Sequence, residues 1–218
     1  MLGWKLERRG SAPLRILCLG AHSDDIEIGV GGAILKLLAE SRRVALRWVV
    51  FSASRERARE ARRSAEAFLA GAHSMEIRVE AFRESYFPGE LAPIKDCFEG
   101  LKQGFEPDLI FTHARDDRHQ DHRVLSDLAW NTWRDHAILE YEIPKYDGDL
   151  GQPNFYFHLS RTLARRKADL IWRHFASQRP KQWFTKETLL SLMRIRGIES
   201  CAPDGYAEAC TVRKAVMR

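Results

Sequence analysis

Two stretches of this 218-residue chain concentrate groups that could do chemistry. The first is His22-Ser23-Asp24-Asp25, released where the apolar run Leu17-Cys18-Leu19 ends in Gly20-Ala21. The second runs His113-Ala114-Arg115-Asp116-Asp117-Arg118-His119-Gln120-Asp121-His122, directly after Leu109-Ile110-Phe111-Thr112. A lone loop histidine is ordinarily solvated, and an Asp ahead of a helix ordinarily caps it. Two such clusters behind two apolar runs weigh against that reading. His22 and Asp25 are separated by two residues in a tight loop, and His119 and His122 stand at i, i+3, on one face of a helix turn. Two imidazoles and one carboxylate are the ligand set of a catalytic zinc that keeps a position open for water, and iron(II) and cobalt(II) accept the same donors. His113 is a rival ligand that ranks below His122, because it lies further back on the strand end.

The clusters can meet only if the elements before them are neighbours. Residues 15–20, the near-continuous apolar run 44–51 and residues 107–112 read as buried strands. Residues 75–82 alternate apolar and charged side chains, as an edge strand does. Residues 138–143 and 155–159 complete the strand-like segments, the latter as a last core strand, and 206–210 fits strand or helix. Helical spacing recurs over 28–38, the Arg/Glu-rich segment after Ser52-Ala53-Ser54, 91–103, 120–135, 162–175 and 187–196. Strands alternating with helices predict βαβ units with right-handed crossovers. The expected fold is α/β, a single-domain, mostly parallel Rossmann-like sheet over 1–218 with helices on both faces and a loosely ordered lead-in at 1–14. In such a sheet sites form beyond the carboxyl ends of strands, and both clusters lie there.

Ala21-His22-Ser23-Asp24-Asp25 followed by Gly29, Gly31 and Gly32 resembles the Ala-His-Pro-Asp-Asp-Glu signature of the LmbE/PIG-L family of zinc-dependent de-N-acetylases, and His119-Gln120-Asp121-His122 resembles its second motif, His-Pro-Asp-His. The resemblance implies an LmbE-like fold, metal ligands His22, Asp25 and His122, and Asp24 as general base. It also implies that His119 polarises the scissile carbonyl and that Asp121 orients a histidine. If Asp24 and Asp25 lie in an extended segment, their side chains point apart, one to the ion and one to the attacking water. The chain departs from the pattern in Ser23, in Gln120, and in Ile26, which stands where the family has glutamate and is followed directly by Glu27. The implied substrate is a small molecule or glycoconjugate bearing an N-acetyl group on an amino sugar. The segment Glu140 to Asp149, with its aromatic rings, carboxylates and lysine, is a candidate for holding sugar hydroxyls. Rival readings are hydrolysis of another amide or of an ester, and a non-catalytic sugar- or nucleotide-binding module.

Composition supports a globular, cytoplasmic reading: 44% of residues are hydrophobic and 30% charged, no run is long and apolar enough to cross a bilayer, and the N-terminus lacks a signal-peptide core. The four cysteines form no Cys-x-x-Cys pair or dense framework and read as reduced thiols. Much of the net charge of +5 sits in Arg55 to Arg63, where both signs mix at helical spacing and describe a solvated face; Arg55 and Arg57, nearest the strand end, are the candidates to meet an anionic substrate. No nucleic-acid module is recognisable. A dinucleotide fold is disfavoured, since Gly-x-Gly-x-x-Gly is absent and two carboxylates stand where a pyrophosphate would bind. Oligomeric state is not legible in the chain.

Overall fold

The computed structural model describes residues 3, 12–40 and 43–216. The lead-in expected over 1–14 therefore lies outside the described residues except for residues 3 and 12–14. Among the described residues seven strands form one sheet: β1 (Leu14–Gly20), β2 (Val44–Val50), β3 (Ser74–Val79), β4 (Leu109–His113), β5 (Ala137–Tyr141), β6 (Phe155–Leu159) and β7 (Tyr206–Val212). Their order is β3-β2-β1-β4-β5-β7-β6. The first five are parallel, whereas β7 runs antiparallel to both β5 and β6. The fold is a single α/β domain with a mostly parallel sheet, as the alternation of elements requires.

Side-chain alternation along the central strands builds two cores. Ile16 and Cys18 of β1 face a layer that includes α1 (Asp25–Glu40), α2 (Arg55–Phe68) and α5 (Arg161–His174). Leu17 and Leu19 face the opposite layer, with α3 (Leu91–Leu101) and α4 (Gln120–Thr132). A last helix, α6 (Lys186–Glu199), precedes β7. Strands β1 and β2 are buried on both faces, which is why their sequences are apolar almost without interruption.

Three expectations need adjusting. Helix α1 begins at Asp25, three residues ahead of the 28–38 reading, and the Ile28 N–H already donates to the Asp24 carbonyl at 3.0 Å. Asp24 and Asp25 therefore sit on a helix start and not in an extended segment, so the helical turn is what separates their side chains. Residues 155–159 form an edge strand, and the ambiguous segment 206–210 becomes β7, inserted between β5 and β6. The expected strand 75–82 ends at Val79 and lies at the opposite edge.

The switch point lies between β1 and β4, because β2 and β3 extend the sheet to one side and β4 and β5 to the other. Adjacent parallel strands end at the same edge, which brings the loops after Gly20 and His113 together, as such folds do with their ligand sites.

Candidate active site

The histidines of the two clusters, and all their aspartates except Asp116, come together and are mostly buried. His22, Asp24, Asp25, His113, Asp117, Asp121 and His122 are all less than 8% exposed, and His119 is half-buried at the mouth. Helix α1 starts with Asp25, which turns its carboxylate back onto the loop, where Oδ2 accepts the His22 backbone N–H at 2.7 Å. Helix α4 starts after His119, whose Nδ1 accepts the Asp121 backbone N–H at 3.3 Å, so the ring caps the helix. That contact assigns the remaining proton of the neutral ring to Nε2.

The donor atoms expected to hold an ion converge. His122 Nε2 is 3.2 Å from His22 Nδ1, and Asp25 Oδ2 is 3.3 Å from His22 Nδ1 and 3.5 Å from His122 Nε2. Four donors at about 2.1 Å around a tetrahedral ion stand about 3.4 Å apart, so this triangle has the dimensions of one face of a zinc site. The far side of each imidazole is held by a carboxylate: His22 Nε2 lies 3.2 Å from Asp121 Oδ2, and His122 Nδ1 lies 2.9 Å from Asp117 Oδ2. In the neutral rings each far nitrogen carries the proton, which leaves the lone pairs of His22 Nδ1 and His122 Nε2 aimed at the centre. Burial disfavours a charged His22, yet Asp25 and Asp121 on its two sides push its pKa up to about 10. Such a pocket attracts positive charge, and its donor set suits a divalent cation. His122 is pulled the other way by burial and by His113 beside it.

His113 belongs to the same knot, stacked on His122 with ring centroids 3.8 Å apart and with Nε2 3.2 Å from Asp25 Oδ2. That nitrogen accepts the Ala21 N–H at 3.0 Å and lies 3.3 Å from the Tyr141 hydroxyl, so its lone pair is engaged within the protein. His119 is closer to the open side, its centroid 4.8 Å from that of His22 and 4.6 Å from that of His122. Burial, and then its two histidine neighbours, lower its pKa. Asp121 is held by the N–H groups of Ser85 at 2.6 Å and Phe87 at 3.2 Å, and Ser85 adopts a left-handed φ of 66°. The loop after β3 thus positions the carboxylate that positions His22.

Asp24 has a partner outside the triangle. Its Oδ1 accepts from the Arg57 guanidinium at 2.5 Å, and burial raises its pKa against the pull of Arg57. Arg57 is therefore occupied by a side chain of the site, which narrows the expectation that Arg55 or Arg57 meets an anionic substrate.

Sequence reasoning assigned Asp117 no role, and it expected Arg57, Tyr141 and Lys145 only near the substrate, whereas here they contact the site's own side chains. Asp117 stood in the second cluster among other acids, and only its contact with His122 distinguishes it from Asp116, whose carboxylate is exposed. The segment Glu140 to Asp149 corrects an expectation: most of its polar groups are spent internally. Glu140 accepts from Trp130 and Arg213, Glu142 is paired with Arg196, and Tyr141 donates to the Leu19 carbonyl. Lys145 bridges Asp117 and Asp149 at 2.9 and 2.6 Å, and Tyr146, 72% exposed, stands open to solvent.

The pairing of these two motifs on one sheet edge has a counterpart among known families. Residues 17–133 match the model of the PIG-L family, GlcNAc-PI de-N-acetylase. That is more than half of the chain, which belongs to this family. Among solved structures, the chain is similar to the conserved protein TT1542 from Thermus thermophilus, with a TM-score of 0.71, 17% identity, and 94% of this chain and 97% of that one covered. It is also similar to the N,N'-diacetylchitobiose deacetylase from Pyrococcus horikoshii, with a TM-score of 0.67, 20% identity, and 91% and 83% covered. A third structure is GalB, the 4-carboxy-2-hydroxymuconate hydratase from Pseudomonas putida KT2440, with a TM-score of 0.70, 18% identity, and 94% and 98% covered. At these identities the likeness is one of fold. No curated protein sequence matches the chain significantly.

Proposed function

We propose that this protein is a metal-dependent de-N-acetylase that hydrolyses the acetamide of an N-acetylated amino sugar, free or within a glycoconjugate. The observation that carries the reading is the triangle of His22 Nδ1, His122 Nε2 and Asp25 Oδ2, with sides of 3.2 to 3.5 Å and both imidazoles backed by carboxylates. A divalent ion held there, zinc in the first instance, supplies polarisation of the acetamide carbonyl and a lowered pKa for water.

The remaining tasks fall to the chain's own residues. Asp24 is the general base: it takes a proton from the attacking water and returns it to the departing amine nitrogen. Burial keeps its affinity for that proton high, while Arg57 on Oδ1 limits the rise and holds the carboxylate in place. His119 presents Nε2–H to the carbonyl oxygen as it becomes an oxyanion, a contact worth roughly 3 kcal/mol in comparable sites. Asp121 acts through His22, and Asp117 acts through His122.

A second reading is suggested by the hydratase among the similar folds, since addition of water to another substrate also needs an activated water at this edge. The two separate in one experiment. Protein stripped by a chelator is assayed for acetate release over a panel of N-acetyl sugars, simple esters and unsaturated acids, with and without added zinc. Zinc-restored acetate release from N-acetyl sugars is the expected result, and turnover confined to another substrate class overturns the de-N-acetylase reading. Cytoplasmic location is part of the proposal. Among the described residues no helix is long and apolar enough to cross a membrane.

A further inference from the structure

The ion pairs around Asp117 assign a role to a residue outside both motifs. Lys145 is only 10% exposed and lies 2.9 Å from Asp117 Oδ2, the same oxygen that lies 2.9 Å from His122 Nδ1. Its ammonium also lies 2.6 Å from Asp149 Oδ2, which accepts the Arg118 backbone N–H at 2.7 Å. Asp117 Oδ1 accepts the His119 backbone N–H at 2.8 Å. The loop after β5 is thus tied at Lys145 to the support of His122 and at Asp149 to the turn that carries His119. Nothing in ordinary loop packing calls for this arrangement, because burying a lysine between two carboxylates costs desolvation that a solvated surface pair avoids.

We infer that Lys145 is a positioning residue for the metal centre, aiming the Asp117 carboxylate at His122 so that the His122 Nε2 lone pair faces His22 and Asp25. The inference rests on the reading that His22, Asp25 and His122 hold the ion. Without Lys145 the shared oxygen loses one of its two partners, and Asp149 keeps a buried charge beside Arg118. The carboxylate then gains freedom to leave the imidazole plane, and His122 loses the fixed orientation that makes it a ligand. Weakening a partner of this kind typically lowers metal affinity by 10- to 100-fold.

The test is a double-mutant cycle read by zinc affinity, in competition with a chromophoric chelator, on Lys145→Met, Asp117→Asn and the double variant. Lys145→Met is expected to bind zinc about tenfold more weakly than the unmodified protein, with little further loss when it is added to Asp117→Asn, because the lysine acts through that carboxylate. Unchanged affinity in Lys145→Met, or a full additional loss in the Asp117→Asn background, overturns the inference while leaving the metal site standing. Failure of the unmodified protein to bind zinc overturns both readings. Far-UV circular dichroism checks each variant, and Lys145→Gln replaces Lys145→Met in the cycle if the latter does not fold.

Discussion

At the scale of single residues, the proposed function divides the site into groups that hold and groups that react. Asp24 and Asp25 are neighbours in the chain, yet one faces Arg57 and the other faces three histidines. Their pKa values move apart accordingly. Burial works against the charge of both carboxyls, and the three imidazoles hold Asp25 well below the usual range while Asp24 rises. Pairs of acids driven apart in this way mark different tasks. Asp24→Asn is therefore expected to retain zinc in metal analysis and to lose at least about 100-fold in turnover, as removal of a general base does. His122→Ala is expected to lose the zinc itself. Full activity in Asp24→Asn would remove the base assignment, and zinc retained at full occupancy in His122→Ala would remove the ligand assignment. Asp24, Asp25 and the histidines were legible in the sequence as a pattern of types and spacings. Asp117 and Lys145 were not, because what singles them out is one oxygen shared across 28 positions of chain.

At the scale of elements, the site depends on how closely α1 lies on the sheet. An added Cβ at Gly29 would stand 2.2 Å from the Tyr141 ring of β5, and one at Gly32 would stand 2.6 Å from Leu159 of β6. Tyr141 in turn reaches the end of β1 and lies beside His113, so the helix that begins with Asp25 is gauged against the strand ends through it. Gly29→Ala should cost about 1 to 3 kcal/mol of stability through overpacking, read as a lower midpoint in urea denaturation. An unchanged midpoint would mean that α1 can move off the sheet freely. The start of α1 escaped sequence reading for a local reason. His22, Ser23, Asp24 and Asp25 offer several cap-forming residue types in a row, and Ile26-Glu27-Ile28 alternates like a strand. The N-termini of α2 and α4 were easier to place, because Ser54 and His119 precede long helical patterns and cap them.

At the scale of the whole molecule, the C-terminal strand locks the N-terminal helix. The Glu208 carboxylate of β7 accepts from the Gly32 and Ala33 N–H groups at 2.7 and 2.6 Å, and Lys167 of α5 pairs with it at 2.5 Å while donating to the Ile28 carbonyl. Both side chains are at most 4% exposed. Glu208→Gln leaves the Lys167 charge buried without its partner and is expected to destabilise the fold by about 3 to 5 kcal/mol in urea denaturation. A loss under about 1 kcal/mol would show that the pair is not needed to hold α1. The α/β class, the parallel sheet and the placing of both polar clusters at strand ends were determined by the sequence alone, since apolar periodicity and the order of elements are local properties of the chain. The insertion of β7 between β5 and β6, the turning inward of Glu140, Glu142 and Lys145 and the ion pairs on Asp24, Asp117 and Glu208 were decided only by tertiary structure. A buried charge must find its counter-charge wherever the packed chain brings one within reach, and that distance is not written in sequence spacing.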